Sequence, residues 1–366
     1  MTEVLNIDPQ NPQPEYIKKA ADVLKKGGLV AFPTETVYGL AAGYADKRAV
    51  NRLQKVKRRP GNKPFTVHIA DKTDLEKFGC DVSPFALELI AKFWPGPLTL
   101  IFDTKKSGKT GFRMPDNKTA IALISESGMP IVAPSANLSG LRPPVNAKQV
   151  LEQLDGKIDM VLDAGPTRLG KESTTMDFTI FPYRIMREGA IPKSRIAEEE
   201  LIFWRDKVLP DIKRILFVCT GNSCRSVMAE AYLKKRLKEV ERDDIEAYSR
   251  GTAAPILFRP TDETLQVLEA DGIDMGYYRS LGLTLEDMKK ADLILVMDEY
   301  HREEVLRRAP DKKDRVYLLA EFGLWGGKTQ DTPLSVLDPI GRPPAFYKEV
   351  YNIIKRSVER LVKILI

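Results

Sequence analysis

The clearest chemistry in the chain lies in Val218-Cys219-Thr220-Gly221-Asn222-Ser223-Cys224-Arg225-Ser226, between a strand-like apolar run and a helical pattern. Cys219, five residues and Arg225 form a loop that can wrap a tetrahedral dianion. Backbone N–H groups point inward, the helix N-terminus adds partial positive charge, and Arg225 supplies a bidentate fork. The same field is expected to lower the Cys219 pKa and favour the thiolate, so no histidine base is required. Gly221 and Asn222 tolerate the left-handed backbone that such a loop demands. Ser226 can donate to the sulfur when it becomes the leaving group, and Asn222 and Ser223 complete the support of the loop. A buried cysteine in an ordinary turn needs none of this pattern.

Polar and basic pieces are scattered through the first half. Pro33-Thr34-Glu35-Thr36-Val37-Tyr38-Gly39-Leu40 exposes hydroxyls after a strand. Between Asp46 and Asp71 there is no acidic residue, but Lys47, Arg48, Arg52, Lys55, Lys57, Arg58, Arg59 and Lys63 all occur. Such a run is usually a solvated helix face. Here it ends in Arg59-Pro60 and Lys63-Pro64, which stop the helix and place cations in a loop suited to a polyphosphate or small anion. Trp94-Pro95-Gly96-Pro97-Leu98-Thr99, Arg113-Met114-Pro115, Pro134-Ser135-Ala136-Asn137-Leu138-Ser139-Gly140, Ser173-Thr174-Thr175 and Arg187-Glu188-Gly189 follow. Gly108-Lys109-Thr110 does not make a Walker loop, because Asp103 stands where the upstream glycine is required.

These groups need a scaffold, and 366 residues suggest two domains. With 43% hydrophobic and 30% charged residues, each half can bury a core. Cys80, Cys219 and Cys224 are too few for a disulfide framework or a four-cysteine zinc site, and His68 and His301 are the only histidines. No metal site is expected. The opening MTEVLNIDPQNPQPE has no apolar run, and no stretch approaches a membrane span, so a cytoplasmic protein without membrane contact is expected. The net charge of +6 is too mild for a protein that coats polyanions. In the first part, runs at 28–32, 65–70, 98–102, 119–124 and 130–135 read as strands, and 15–26, 46–57, 84–94 and 146–154 as helices. After Pro210 the order becomes strand (214–219), helix (226–239), strand (245–249), helix (261–271), strand (292–297), helix (299–308), strand (315–319) and helix (344–364). That alternation predicts a parallel sheet covered on both faces.

From about 212 to 366 the chain resembles the low-molecular-weight protein tyrosine phosphatase family, through CTGNSCRSVMAE, SRGT (249–252), ADLILVMDEYH (291–301) and VLDPIG (336–341). The resemblance implies a three-layer, doubly wound parallel sheet, Cys219 and Arg225 as catalytic residues, Asp338 as general acid, and no cofactor. Ile340 replaces the aromatic that usually follows Asp-Pro, and Ser223 is closer to the bacterial protein-arginine phosphatases of the family. Phosphotyrosine and phosphoarginine both remain open as substrates. Cys224 would be a small filler or a redox protector of Cys219.

Residues 12–195 resemble the YrdC family of L-threonylcarbamoyladenylate synthases, on PTETVYGL, Lys57 to Pro60, NKP-x-x-VHI, WPGPLTLI, R-x-P, APSANLSG, ST-x-x-D and R-x-G. This implies a twisted, open mixed sheet with helices, and an α/β class for both parts. Threonine binding is expected at Thr34, Tyr38 and His68, and ATP binding at Lys57, Arg59, Ser135, Asn137, Arg113 and Arg187. The implied partners are ATP with magnesium as substrate, L-threonine and bicarbonate, with tRNA-modification machinery downstream and direct RNA contact as a further expectation. A domain over 1–195, a linker over 196–211 and a second domain over 212–366 give a bifunctional enzyme. The alternative is a signalling phosphatase with a non-catalytic ligand- or RNA-binding first domain.

Overall fold

The computed structural model of the chain describes residues 1–58, 65–105, 108–180, 183–323 and 335–366. It divides into two units, Met1–Ala197 and Glu198–Ile366.

The first unit is built on β1 (Glu3–Asn6), β2 (Val30–Phe32), β3 (Gly39–Gly43), β4 (Thr66–His68), β5 (Leu98–Thr104), β6 (Gly108–Arg113), β7 (Ile131–Val132), β8 (Met160–Asp163), β9 (Thr174–Asp177) and β10 (Arg184–Arg187). They form one mixed sheet in the order β1-β8-β2-β3-β7-β4-β6-β5-β9-β10. β2 and β3 are antiparallel neighbours, so residues 33–38 leave the sheet and return beside it. β4 and β6 run parallel with His68 opposite Arg113, which sets two residues of the expected site side by side. Helices Pro14–Lys25 and Lys118–Ser127 bring Ile17, Ala20, Leu24, Ala120, Leu123 and Ile124 into one core with Val30, Phe32, Ile131, Met160 and Leu162. Helix Lys47–Lys57 starts at Asp46, whose carboxylate accepts from Arg48 N and Ala49 N, a cap worth about 1 kcal/mol.

One expected strand is wrong. Residues 119–124 lie in helix Lys118–Ser127, because Asn117 caps Ala120 N and the buried Ala120, Leu123 and Ile124 fall at helical spacing.

In the second unit β11 (Arg214–Cys219), β12 (Glu246–Gly251), β13 (Leu293–Val296) and β14 (Val316–Leu318) form an all-parallel sheet in the order β12-β11-β13-β14. The order reverses beside β11, so the loop after Cys219 opens at a topological switch point, where α/β sheets place ligands. Helices Arg225–Glu239 and Pro344–Leu365 pack Val227, Met228, Leu233, Ile354, Val358 and Leu361 against Ile215, Phe217 and Leu295. Met288, Val305 and Ala309 cover the other face at Leu216, Val218 and Ile294.

The stretch expected as a linker is mostly helical: helix Lys193–Phe203 runs into a wider turn over Trp204–Val208. No proline interrupts it before Pro210, and Trp204 packs its ring on Tyr317 and Phe322 of the second unit. Among the described residues no helix is long and apolar enough to cross a membrane.

Candidate active sites

β11 delivers Cys219 into the core, and helix Arg225–Glu239 begins where the loop ends. Asn222 takes the left-handed conformation (φ 51°), which turns its N–H onto Cys219 Sγ at 3.2 Å. Ser226 Oγ lies 2.9 Å from the same sulfur. Asn222 is itself locked: its amide donates to Ser226 Oγ and Ser249 Oγ, and its Oδ1 accepts from Tyr278 OH and Leu281 N. Gly251 closes the floor. A Cβ there would stand 2.5 Å from Thr220 O and 3.0 Å from Asn222 N, so only glycine lets the loop sit so close. Ser223 is half-buried, its hydroxyl 3.7 Å from Cys224 Sγ. Cys219 and Cys224 are both buried free thiols.

Arg225 is buried, donating through Nη1 to Asp298 Oδ2 and Val336 O, both at 3.1 Å, and through Nη2 to Asp338 Oδ2 at 2.5 Å. Asp338 is exposed and also accepts from Ile340 N. Asp338 thus meets Arg225 at the end of the loop that starts at Cys219, and Ile340, two residues on, is exposed. The electrostatics differ from expectation. Burial pushes the Cys219 thiol up, outweighing the Ser226 hydrogen bond, the Arg225 charge and the Asn222 N–H. The sulfur lies in the protein interior, and the loop's hydrogen bonds and charge do not offset its loss of solvation. Burial also raises the Asp298 carboxyl, but hydrogen bonds from His301 and the charges of His301 and Arg225 leave it below its ordinary value.

The first unit holds a polar cleft lined by Thr34, His68, Arg113, Ser135 and Arg187, with Thr99, Glu172 and Ser173. Thr34 donates to Val37 O at 2.6 Å and accepts from Thr36 N and Val37 N, which folds the 33–38 turn. His68 is buried edge-on to Phe32, and its Nδ1 has no hydrogen-bond partner among the described residues. Burial and then the Arg113 charge push its pKa down to about 3, so the ring is a neutral hydrogen-bonding group at pH 7. Arg113 donates to Thr36 Oγ1 at 2.8 Å and to Gly96 O at 3.3 Å. Arg187 reaches Ser173 O, Ser173 Oγ and Glu172, and Ser173 Oγ lies 2.8 Å from Thr99 Oγ1.

Three expected binding residues do not line this cleft. Tyr38 is fully buried with its hydroxyl donated to Gly165 O at 2.7 Å, and burial and Asp163 raise its pKa. It braces the segment after β8. Lys57 is buried and its ammonium donates to Ser135 O and Asn137 O, while Ser139 N donates to Lys57 O, so this cation clamps the 135–139 loop. Asn137 points inward, donating to Leu138 O and Leu141 O and accepting from Ser135 Oγ. Arg59 lies outside the described residues.

Sequence reasoning also passed over residues that the structure brings to these sites. Glu35, buried, sits 2.8 Å from Arg113. Thr99, Glu172 and Ser173 form one wall of the cleft. In the second unit Asp298, His301, Ser249 and Tyr278 support the loop. Most of them stood inside recognised motifs, but local sequence carries no signal of which distant partner each would meet. No cluster of three His, Cys, Asp or Glu side chains suited to a metal ion occurs among the described residues.

Comparison with known proteins places both units. Residues 22–189 match the family model for Sua5/YciO/YrdC (described as telomere recombination), and 214–365 match low molecular weight phosphotyrosine protein phosphatase. The threonylcarbamoyl-AMP synthase of Pyrococcus abyssi is 40% identical over 205 residues, 54% of this chain and 60% of that protein. The chain likewise spans 57% of the length of the Bacillus subtilis synthase. A Mycobacterium tuberculosis protein provisionally named threonylcarbamoyl-AMP synthase is 36% identical over 207 residues, covering 54% of this chain and 95% of that one. The crystal structure of P. abyssi Sua5 complexed with L-threonine aligns with 86% of this chain and 99% of its own, at 28% identity and a TM-score of 0.53. The mixed sheet with its polar cleft and the parallel sheet with its Cys219 loop are thus two families in one polypeptide: the chain belongs to the Sua5/YciO/YrdC family through its first unit and to the low-molecular-weight phosphatases through its second.

Proposed function

We propose that the chain is a bifunctional enzyme, an L-threonylcarbamoyladenylate synthase joined to a cysteine-dependent phosphoprotein phosphatase. In the first unit, the threonine amine attacks CO2 derived from bicarbonate and loses a proton to give a carbamate. The carbamate oxygen then attacks the α-phosphorus of ATP, pyrophosphate leaves, and threonylcarbamoyl-AMP remains for tRNA threonylcarbamoyladenosine modification. Magnesium enters with ATP as part of that substrate. Such chemistry joins anions and needs no protein nucleophile, only oriented cations and hydrogen-bonding groups. The observation that supports it most directly is the pairing of neutral His68, with an open Nδ1, beside Arg113 in one polar cleft.

In the second unit, the Cys219 thiolate attacks phosphorus while Asp338 gives its proton to the leaving atom. Asp338 then takes a proton from the water that hydrolyses the cysteinyl-phosphate, and inorganic phosphate departs. Arg225 would hold the equatorial oxygens, and its present bond to Asp338 keeps general acid and anion site within one side-chain length.

The experiment is a paired assay on the intact chain. Pyrophosphate release should require ATP, L-threonine and bicarbonate together, and hydrolysis of phosphotyrosine or phosphoarginine peptides should vanish in Cys219→Ser. Pyrophosphate release without threonine, or phosphatase turnover that survives Cys219→Ser, would refute the corresponding half. Comparing the two phosphopeptides assigns the substrate class.

A further inference from the structure

The second histidine of the chain, His301, has no part in the proposed chemistry, yet it is buried under the phosphate loop with a polar group close to each ring nitrogen. Nε2 lies 2.9 Å from Thr220 Oγ1, the hydroxyl next to the nucleophile. Nδ1 lies 2.7 Å from Asp298 Oδ1, which also accepts the His301 backbone N–H at 3.1 Å as the cap of helix Glu299–Arg308. The other oxygen, Asp298 Oδ2, takes Arg225 Nη1 at 3.1 Å. Arg225 thus has two carboxylate partners of different kinds. Asp298 is fixed by a helix cap and a buried ring, whereas Asp338 sits on an exposed turn.

We propose that His301 is a positioning residue for the phosphatase site: it fixes Asp298, and Asp298 holds Arg225 by its inner edge while Asp338 exchanges. The inference rests on the phosphatase reading above. A phosphate dianion entering the loop needs the outer face of the Arg225 guanidinium, so the Asp338 bond must open, and Asp338 must open it anyway to protonate the leaving atom. The guanidinium keeps its aim through this exchange only if a second carboxylate does not move. A histidine that bridges Asp298 and Thr220 supplies that fixity, tying the arginine's anchor to the loop that carries Cys219. A histidine present only to fill space needs neither contact.

The two ring nitrogens can be tested separately in the full-length chain. In His301→Asn the amide occupies the place of Nδ1 and keeps the Asp298 contact. In His301→Gln it reaches the place of Nε2 and keeps Thr220 but loses Asp298. With 4-nitrophenyl phosphate, His301→Gln should lose about 100-fold in kcat, the scale expected for a catalytic group misplaced by about an ångström, with KM changed less. His301→Asn should recover most of that loss. Equal loss in both variants, or a lowered melting temperature in both with kcat intact, would overturn the proposal. If the wild-type chain hydrolyses no phosphoester, the phosphatase reading falls, and tungstate affinity still decides the inference. Weaker binding in His301→Gln than in His301→Asn supports it, and equal binding overturns it.

Discussion

Gly251 offers a direct measure of how tightly the phosphate loop is held. Its substitution by alanine introduces no backbone strain, because its φ is not in the left-handed region, so the effect is one of contact alone. The new Cβ would meet Thr220 O at 2.5 Å, Ala254 Cβ at 2.7 Å and Asn222 N at 3.0 Å. Carbon atoms pack at about 3.5–4.0 Å, so something must retreat by about 0.8 Å. β12 cannot, since it is paired along its length with β11. The neighbouring segment is tied to the loop by Thr252 N to Cys219 O at 2.9 Å and Ala253 N to Thr220 O at 3.0 Å. The displacement therefore falls on Thr220 and Asn222, and through the Asn222 N–H on the sulfur. An overpacked site of this kind costs about 1–3 kcal/mol of stability, and a shift near 1 Å at the nucleophile costs about 100-fold in rate. Steady-state hydrolysis of 4-nitrophenyl phosphate, with thermal unfolding of the same samples, reads both. A Gly251→Ala protein with kcat within two-fold of wild type would refute the claim that the loop backbone is immobilised from below.

Glu35→Gln leaves the buried Arg113 without its counter-ion. It should destabilise the chain by about 3–5 kcal/mol in urea unfolding and raise the KM for threonine in pyrophosphate release, while the phosphatase rate stays unchanged. Asp338→Asn removes one of the two charges that neutralise Arg225, so more positive field reaches the sulfur and the Cys219 pKa falls. The pH profile of Cys219 alkylation by iodoacetamide should move to lower pH than in wild type, and an unmoved profile would show that burial alone sets the raised value. His68 titrates near 6.5 when unfolded and at about 3 when folded. The unfolded state therefore binds the extra proton first, and stability is lost as pH falls from about 6.5 towards 3, by on the order of several kcal/mol in total. His68→Gln should flatten the dependence of melting temperature on pH across that window.

The parts of this protein that could be read from its residues are those where local pattern and local chemistry coincide. The Cys219 loop, the helix it opens and the alternation that follows all lie within reach of their neighbours in sequence, and they occupy the expected places. Residues 119–124 misled because their apolar run suits a buried strand and a buried helix equally, and only the Asn117 cap distinguishes them. In the first unit, strands such as β3 and β9 are too short or too small in side chain to announce themselves. Side-chain placement in the cleft was hard to read for a different reason. Tyr38, Lys57 and Asn137 stand in motifs that line a cleft, but a motif names a segment and not the side of it that a given side chain takes. The lowered Cys219 pKa was expected from the loop's own charges, and burial of the sulfur in the folded core, which the loop's residues do not reveal, outweighs them.

The clamp made by Lys57 bears on which substitutions the chain can accept. Its ammonium sits among carbonyl oxygens contributed by Ser135 and Asn137. A compact cation with three donors can satisfy acceptors converging from different directions, whereas the flat fork of arginine matches two oxygens lying in one plane. Lys57→Arg is thus a change of shape at constant charge, and the loop carrying Ser135 would have to open to admit it. Lys57 is thus a rivet set from inside, holding the 135–139 loop mechanically.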